Sequence, residues 1–118
     1  MKEIKSYFRM KKAEEVIYAL EDAGVPGFTL VEVKALGGAT VPEAERFSVE
    51  YSESYSPLVK LELVCDDGDM DRIAGIIREK AYTGHRGDGM IFCTDVCEAI
   101  KIRTGQRGAQ ALKSEEPD

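Results

Sequence analysis

Residues 2–9 alternate, with Ile4, Ser6 and Phe8 on one side and Lys5, Tyr7 and Arg9 on the other, which predicts a strand with one core-leaning face. From Lys11 to Ala23 the spacing turns helical. Ala13, Val16, Ile17, Leu20 and Ala23 form one stripe, and Glu14, Glu15, Glu21 and Asp22 lie off it. Gly24 suits the left-handed position after a helix, and Pro26 stops its resumption. Phe28 to Lys34 is rich in apolar and β-branched residues and reads as a second strand, with Thr29, Val31 and Val33 on one face. Leu58 to Val64 alternates again, placing Val59, Leu61 and Leu63 toward a core and Lys60 and Glu62 on the reverse. Met70, Ile73, Ile77 and Ala81 make a second helical stripe, with Asp66 or Asp67 placed to cap it. Residues 90–93 and 98–102 read as a last strand pair around a turn at Thr94-Asp95. The order β-α-β-β-α-β predicts an α+β fold, the ferredoxin-like sandwich of a four-stranded sheet with both helices on one face.

Between strands two and three the pattern fails. Residues 36–57 hold glycine, proline, serine and scattered glutamate with little sustained period, and a loop of that length inside a compact domain tends to be functional. One domain over residues 1–108 is expected, with 109–118 a flexible C-terminal tail. No apolar run is long enough for a membrane helix or a signal segment, which predicts a cytoplasmic protein that is not membrane-embedded. The formal net charge of −6 argues against a nucleic-acid partner, because such binding depends on Lys and Arg displacing counterions. Three cysteines, Cys65, Cys93 and Cys97, show no CxxC spacing, so neither a disulfide framework nor a metal site is expected.

The candidate chemistry sits between Thr83 and Gly108. Thr83-Gly84-His85-Arg86-Gly87-Asp88-Gly89 is a glycine-rich loop leading into Met90-Ile91-Phe92-Cys93, and Lys101-Ile102-Arg103-Thr104-Gly105-Gln106-Arg107-Gly108 is a second, cationic one. Glycines at this density let backbone N–H groups converge on an anion, and a guanidinium offers phosphate a rigid fork of donors. A phosphate-bearing small molecule held between loop amides and Arg103 is the functional reading; plain turns are the bland one. No Gly-Lys-Ser/Thr follows, and a strand comes after the glycines where a dinucleotide fingerprint requires a helix, so neither standard nucleotide motif is present.

Thr83-Gly84, Gly87-Asp88-Gly89, Ile91-Phe92, Asp95-Val96 and Ile102-Arg103-Thr104-Gly105 resemble the C-terminal signature of the nitrogen regulatory P-II signalling proteins. Leu20, Gly24, Gly27, Thr29, Glu32-Val33-Lys34, Gly37, Val59-Lys60 and Glu62 extend the resemblance over roughly residues 1–108. It implies a homotrimer with inward-facing sheets and adenine nucleotide (ADP, AMP or ATP) as effector in the clefts between subunits. Its nucleotide-binding residues fall on Thr29, Gly37, Glu62, Val64, Gly87, Asp88, Gly89, Met90, Lys101 and Arg103. It also implies that residues 36–57 are a mobile loop that engages a target protein, a membrane transporter or a metabolic enzyme. Tyr51 lies where some members are modified by uridylylation.

The departures are specific. Met90 stands where the family has Lys or Arg, which predicts weakened phosphate binding with AMP or ADP favoured over ATP. Lys101 replaces a common Arg and loses its fork. Gly38, Ala39 and Leu58 replace residues that serve magnesium and 2-oxoglutarate, so sensing of that acid is expected to be lost. An enzyme on the same fold is disfavoured because His85 has no evident nucleophile partner. The alternative is a metal-binding or structural trimer linked to metal efflux, with a vestigial nucleotide cleft and soft residues at His85, Met90, Cys93 and Cys97.

Overall fold

The computed structural model describes residues 1–35 and 57–113. Strands β1 (Lys2–Arg9), β2 (Thr29–Val33), β3 (Leu58–Cys65) and β4 (Met90–Asp95) alternate with helices α1 (Ala13–Asp22) and α2 (Met70–Ala81) in the expected order. The sheet order is β2-β3-β1-β4, and every neighbouring pair is antiparallel. This is the ferredoxin-like arrangement. The interval between β2 and β3 that was expected to form the long loop lies almost wholly outside the described residues.

The alternation along β1 and β3 decides which face meets the helices. Ile4, Ser6 and Phe8 of β1 and Val59, Leu61 and Leu63 of β3 are buried against Val16 and Leu20 of α1 and Ile73 and Ile77 of α2. Each such apolar side chain removed from water contributes about 1.5–3 kcal/mol. Ser6 is the one buried polar side chain among the described residues, and its hydroxyl donates to the Leu61 carbonyl at 3.4 Å. The opposite face carries two cross-strand rows, Thr29-Glu62-Lys5-Phe92 and Val31-Lys60-Tyr7-Met90. Val31, Met90 and Phe92 stay about half exposed there, and Tyr7 meets Phe92 edge to face with ring centroids 6.2 Å apart. The bare face is thus mixed, and its apolar members lack a cover among the described residues.

Local details refine the expectations. Met10–Lys12 form a 3-10 turn ahead of α1, and Gly24 adopts φ +83° just past its end, as a left-handed cap requires. No side-chain cap forms at Asp66 or Asp69; Asp67 instead takes the Met1 ammonium at 2.8 Å, and Asp69 takes Arg72 at 3.4 Å. The expected pairing of 90–93 with 98–102 is corrected. β4 pairs with β1, while Ile100 bridges Arg107 and the backbone of Lys101 bonds Gln106 and Gly105, closing a separate small hairpin. Gly105 and Gly108 supply positive φ at its turn and exit, so a local closure of a few residues is available and costs less chain entropy than a distant one.

Candidate functional site

The loop between α2 and β4 is organised by its own aspartate. The Asp88 carboxylate accepts the amide N–H groups of Thr83 and Gly84, each at 2.9 Å, and the Thr83 hydroxyl. Thr83 Oγ1 in turn accepts the His85 amide at 3.2 Å. Three consecutive amides are therefore satisfied inside the loop, so these donors serve the turn first. The glycines make this geometry accessible. Gly84, Gly87 and Gly89 all have positive φ, and Gly87 is buried.

From outside the loop, Arg9 at the end of β1 donates Nε–H to Asp88 at 3.3 Å and Nη2–H to the Arg86 carbonyl. Partial burial alone would push the Asp88 carboxyl up; the Thr83 hydroxyl, the Thr83 and Gly84 amides and Arg9 more than offset it and hold the group well below the usual carboxylate range. These donors favour the ionised form of Asp88. Gly89 seats the loop on β1, since a Cβ there would stand 1.7 Å from the Tyr7 carbonyl oxygen. A half-open cleft of about 170 Å³ lies beside this contact, lined by Tyr7, Tyr82, Met90, Arg78, Ile77 and Asp88 among others.

The remaining candidate residues stand elsewhere. Thr29 and Glu62 are direct partners across β2 and β3 on the bare face, and Val64 follows Glu62 on the same face, opposite Glu3. Glu62 lies 3.1 Å from Lys60, and that contact raises the lysine's pKa. Lys101 donates Nζ–H to the Lys113 carbonyl at 3.0 Å, and Arg103 is exposed in the turn of the hairpin. Met90 opens β4 opposite Tyr7, with its thioether half exposed. Gly37 and Tyr51 lie outside the described residues.

Within one chain these residues form separate groups. Thr29 is on the β2 edge of the sheet and Met90 on the β4 edge, three strand spacings or about 14 Å across. The loop at 83–89 and the first residue of β4 are thus remote from Thr29. Arg9 is the member that sequence reasoning missed. It was placed on the correct face of β1, but a single cation at a strand end carries no motif.

Among the described residues, no group of three or more His, Cys, Asp or Glu side chains is disposed to hold a metal ion; Cys65 is buried and Cys93 and Cys97 are exposed. No helix among them is long and apolar enough to cross a membrane.

Comparison with known proteins bears on the whole arrangement. The family profile described as nitrogen regulatory protein P-II matches residues 1–106. Nitrogen regulatory protein P-II 1 of Methanothermobacter thermautotrophicus is 38% identical over 112 residues, covering 95% of this chain and 97% of that protein. P-II 2 of the same organism is 41% identical over 113 residues, with coverage of 95% and 97%. Nitrogen regulatory protein P-II of Azospirillum brasilense is 37% identical over 112 residues, with coverage of 95% and 100%.

Proposed function

The chain belongs to the nitrogen regulatory P-II family of signalling proteins, and on that premise we propose that it is a nucleotide-responsive regulator, not a catalyst, built as a homotrimer. An adenine nucleotide is its effector, held in clefts between subunits. Its output is a target protein, a membrane transporter or a metabolic enzyme of the cytoplasm, engaged through residues 36–57.

One observation supports this reading most directly. The candidate contacts on the sheet lie toward its two sides, with Thr29 on edge strand β2, Glu62 and Val64 on the adjoining β3, and Gly87 to Met90 leading into edge strand β4. A single chain leaves the two groups apart, whereas a second copy set beside the first brings the β4-edge loop of one to the β2 edge of the other. The half-exposed Val31, Met90 and Phe92 on the bare face are the kind of surface that self-association covers.

The substitutions shape the specificity. Met90 presents a thioether where a cation would meet phosphate, and loss of one charge-assisted contact costs about 1.5–3 kcal/mol, or about tenfold to a hundredfold in affinity. ADP or AMP is accordingly favoured over ATP. Gly38, Ala39 and Leu58 lack the donors that a dicarboxylate such as 2-oxoglutarate needs, so nucleotide binding is independent of that acid.

Calorimetric titration of the metal-free protein with ATP, ADP and AMP, each with and without 2-oxoglutarate, tests the reading, with native mass measured alongside. Micromolar binding of ADP or AMP to a trimer, unchanged by 2-oxoglutarate, is the expected result. Absence of heat and of thermal shift at millimolar nucleotide would remove the effector from the proposal, and a monomer would remove the cleft.

A further inference from the structure

An ionised carboxylate inside a loop that receives phosphates raises a problem of charge. Three of the four donors to Asp88 are neutral: the Thr83 hydroxyl and the amides of Thr83 and Gly84. They fix the shape of the loop but leave a full negative charge in it. The fourth is the Arg9 guanidinium, whose side chain is only 16% exposed against 25% for Asp88. Its other arm holds the Arg86 carbonyl, so one side chain from β1 neutralises the loop and pins its backbone. The guanidinium fork suits this double contact, and a lysine ammonium is a single point charge. Among the described residues, Arg86 of the loop and Arg78 of the cleft are exposed to solvent.

We infer that Arg9 is a positioning and specificity residue of the effector site: by neutralising Asp88 and holding the Arg86 carbonyl, it makes the 83–89 loop acceptable to a phosphorylated ligand. The inference rests on the nucleotide reading above. Its physical content is graded by charge. An uncompensated Asp88 repels each added phosphate charge over a distance at which the intervening medium is only partly water, and dissolved salt weakens that repulsion. Adenosine carries no phosphate and does not sense it.

The test is titration of the wild-type protein, Arg9→Gln and Arg9→Lys with adenosine, AMP, ADP and ATP at low and high salt. Arg9→Gln is expected to weaken ATP by about tenfold or more and ADP less, with adenosine within about twofold, the loss shrinking as salt rises. Arg9→Lys restores part of the affinity, because the charge returns without the fork. Arg72→Gln serves as a charge-matched control. Arg72 pairs with Asp69 near the start of α2, about three helical turns from the loop, and its loss should move every affinity by less than about twofold. Equal weakening for adenosine and ATP would make Arg9 a purely structural residue and overturn the inference, as would unchanged ATP binding. If Arg9→Gln fails to fold, Arg9→Lys carries the decision: ATP weakened by less than about tenfold with adenosine within about twofold agrees with a charge that is kept and a fork that is lost, whereas an equal loss for adenosine and ATP, or unchanged ATP binding, overturns the inference. A wild-type protein that binds none of the four ligands brings down the nucleotide reading itself, an outcome distinct from failure of the Arg9 argument alone.

Discussion

Replacing Gly89 by alanine isolates the contact that seats the glycine loop on the sheet. An added Cβ would lie 1.7 Å from the Tyr7 carbonyl oxygen, 2.7 Å from its carbon and 3.2 Å from the Phe8 Cα. These are backbone atoms of a central strand, so no side chain can swing aside. The residue also sits at φ +106°, where an L side chain costs about 1–3 kcal/mol. Relief requires the start of β4 to retreat from β1, loosening the Tyr7–Met90 pair, at about 1 kcal/mol for each ladder hydrogen bond lost. Together the terms reach about 2–5 kcal/mol, a large share of the roughly 5–15 kcal/mol that holds a domain folded. Urea unfolding at fixed protomer concentration should then show a midpoint lower by about 2 M, for a slope of 1–3 kcal/mol per molar. Gly105→Ala is the control: φ is also positive, at +74°, but nothing stands within 4 Å of the added carbon, leaving only the conformational cost of about 1–2 kcal/mol. If the two variants shift the midpoint equally, the steric account of Gly89 is refuted.

Gly75 lies exposed within α2 with nothing near its missing Cβ, so Gly75→Ala should raise stability by about 0.5–1 kcal/mol in the same urea assay. The lowered pKa of Asp88 means that the folded state binds its proton more weakly than the unfolded one. The resulting stabilisation is full above the ordinary carboxylate range near about pH 4 and falls away as pH drops toward the depressed folded value. Asp88→Asn should therefore flatten the acid limb of stability measured against pH, and an unchanged limb would contradict the hydrogen-bonded loop. Met90→Lys should tighten ATP by about tenfold to a hundredfold in calorimetry while adenosine stays within about twofold, a difference that fails if position 90 does not face phosphate.

The elements were legible where a single physical period governed a run. Ile4 and Phe8, Val59, Leu61 and Leu63, and Ile73 with Ile77 are buried as their spacing requires, and Gly24 takes the left-handed cap that its place after α1 demands. The run at 98–102 misled because its composition fits any strand partner. The choice was made by Gly105 and Gly108, which allow Ile100 to meet Arg107 within the same short stretch, and β4 was already paired with β1.

Site residues divide in the same way. A glycine-rich loop announces positive φ, and Gly84, Gly87 and Gly89 have it, but the string of letters does not say whose oxygen the loop amides will meet. Here they meet Asp88, a residue of the same loop, because the chain turns back within five positions and a local acceptor comes at little entropic cost. Arg9 is the opposite case. It is 79 positions from Asp88, and only the antiparallel register of β1 with β4, which sets Tyr7 against Met90, carries the strand end to the loop. A residue whose role is created by register leaves no local trace. The same logic separates Thr29 from Met90: both stand on the bare face, yet their distance is fixed by a strand order in which β3 and β1 intervene. Local sequence thus specifies conformations that a few residues can settle among themselves, whereas the pairing of loop, strand end and sheet edge into one site depends on topology. Under the proposed trimer that dependence extends to a neighbouring copy, which would supply the other side of the cleft.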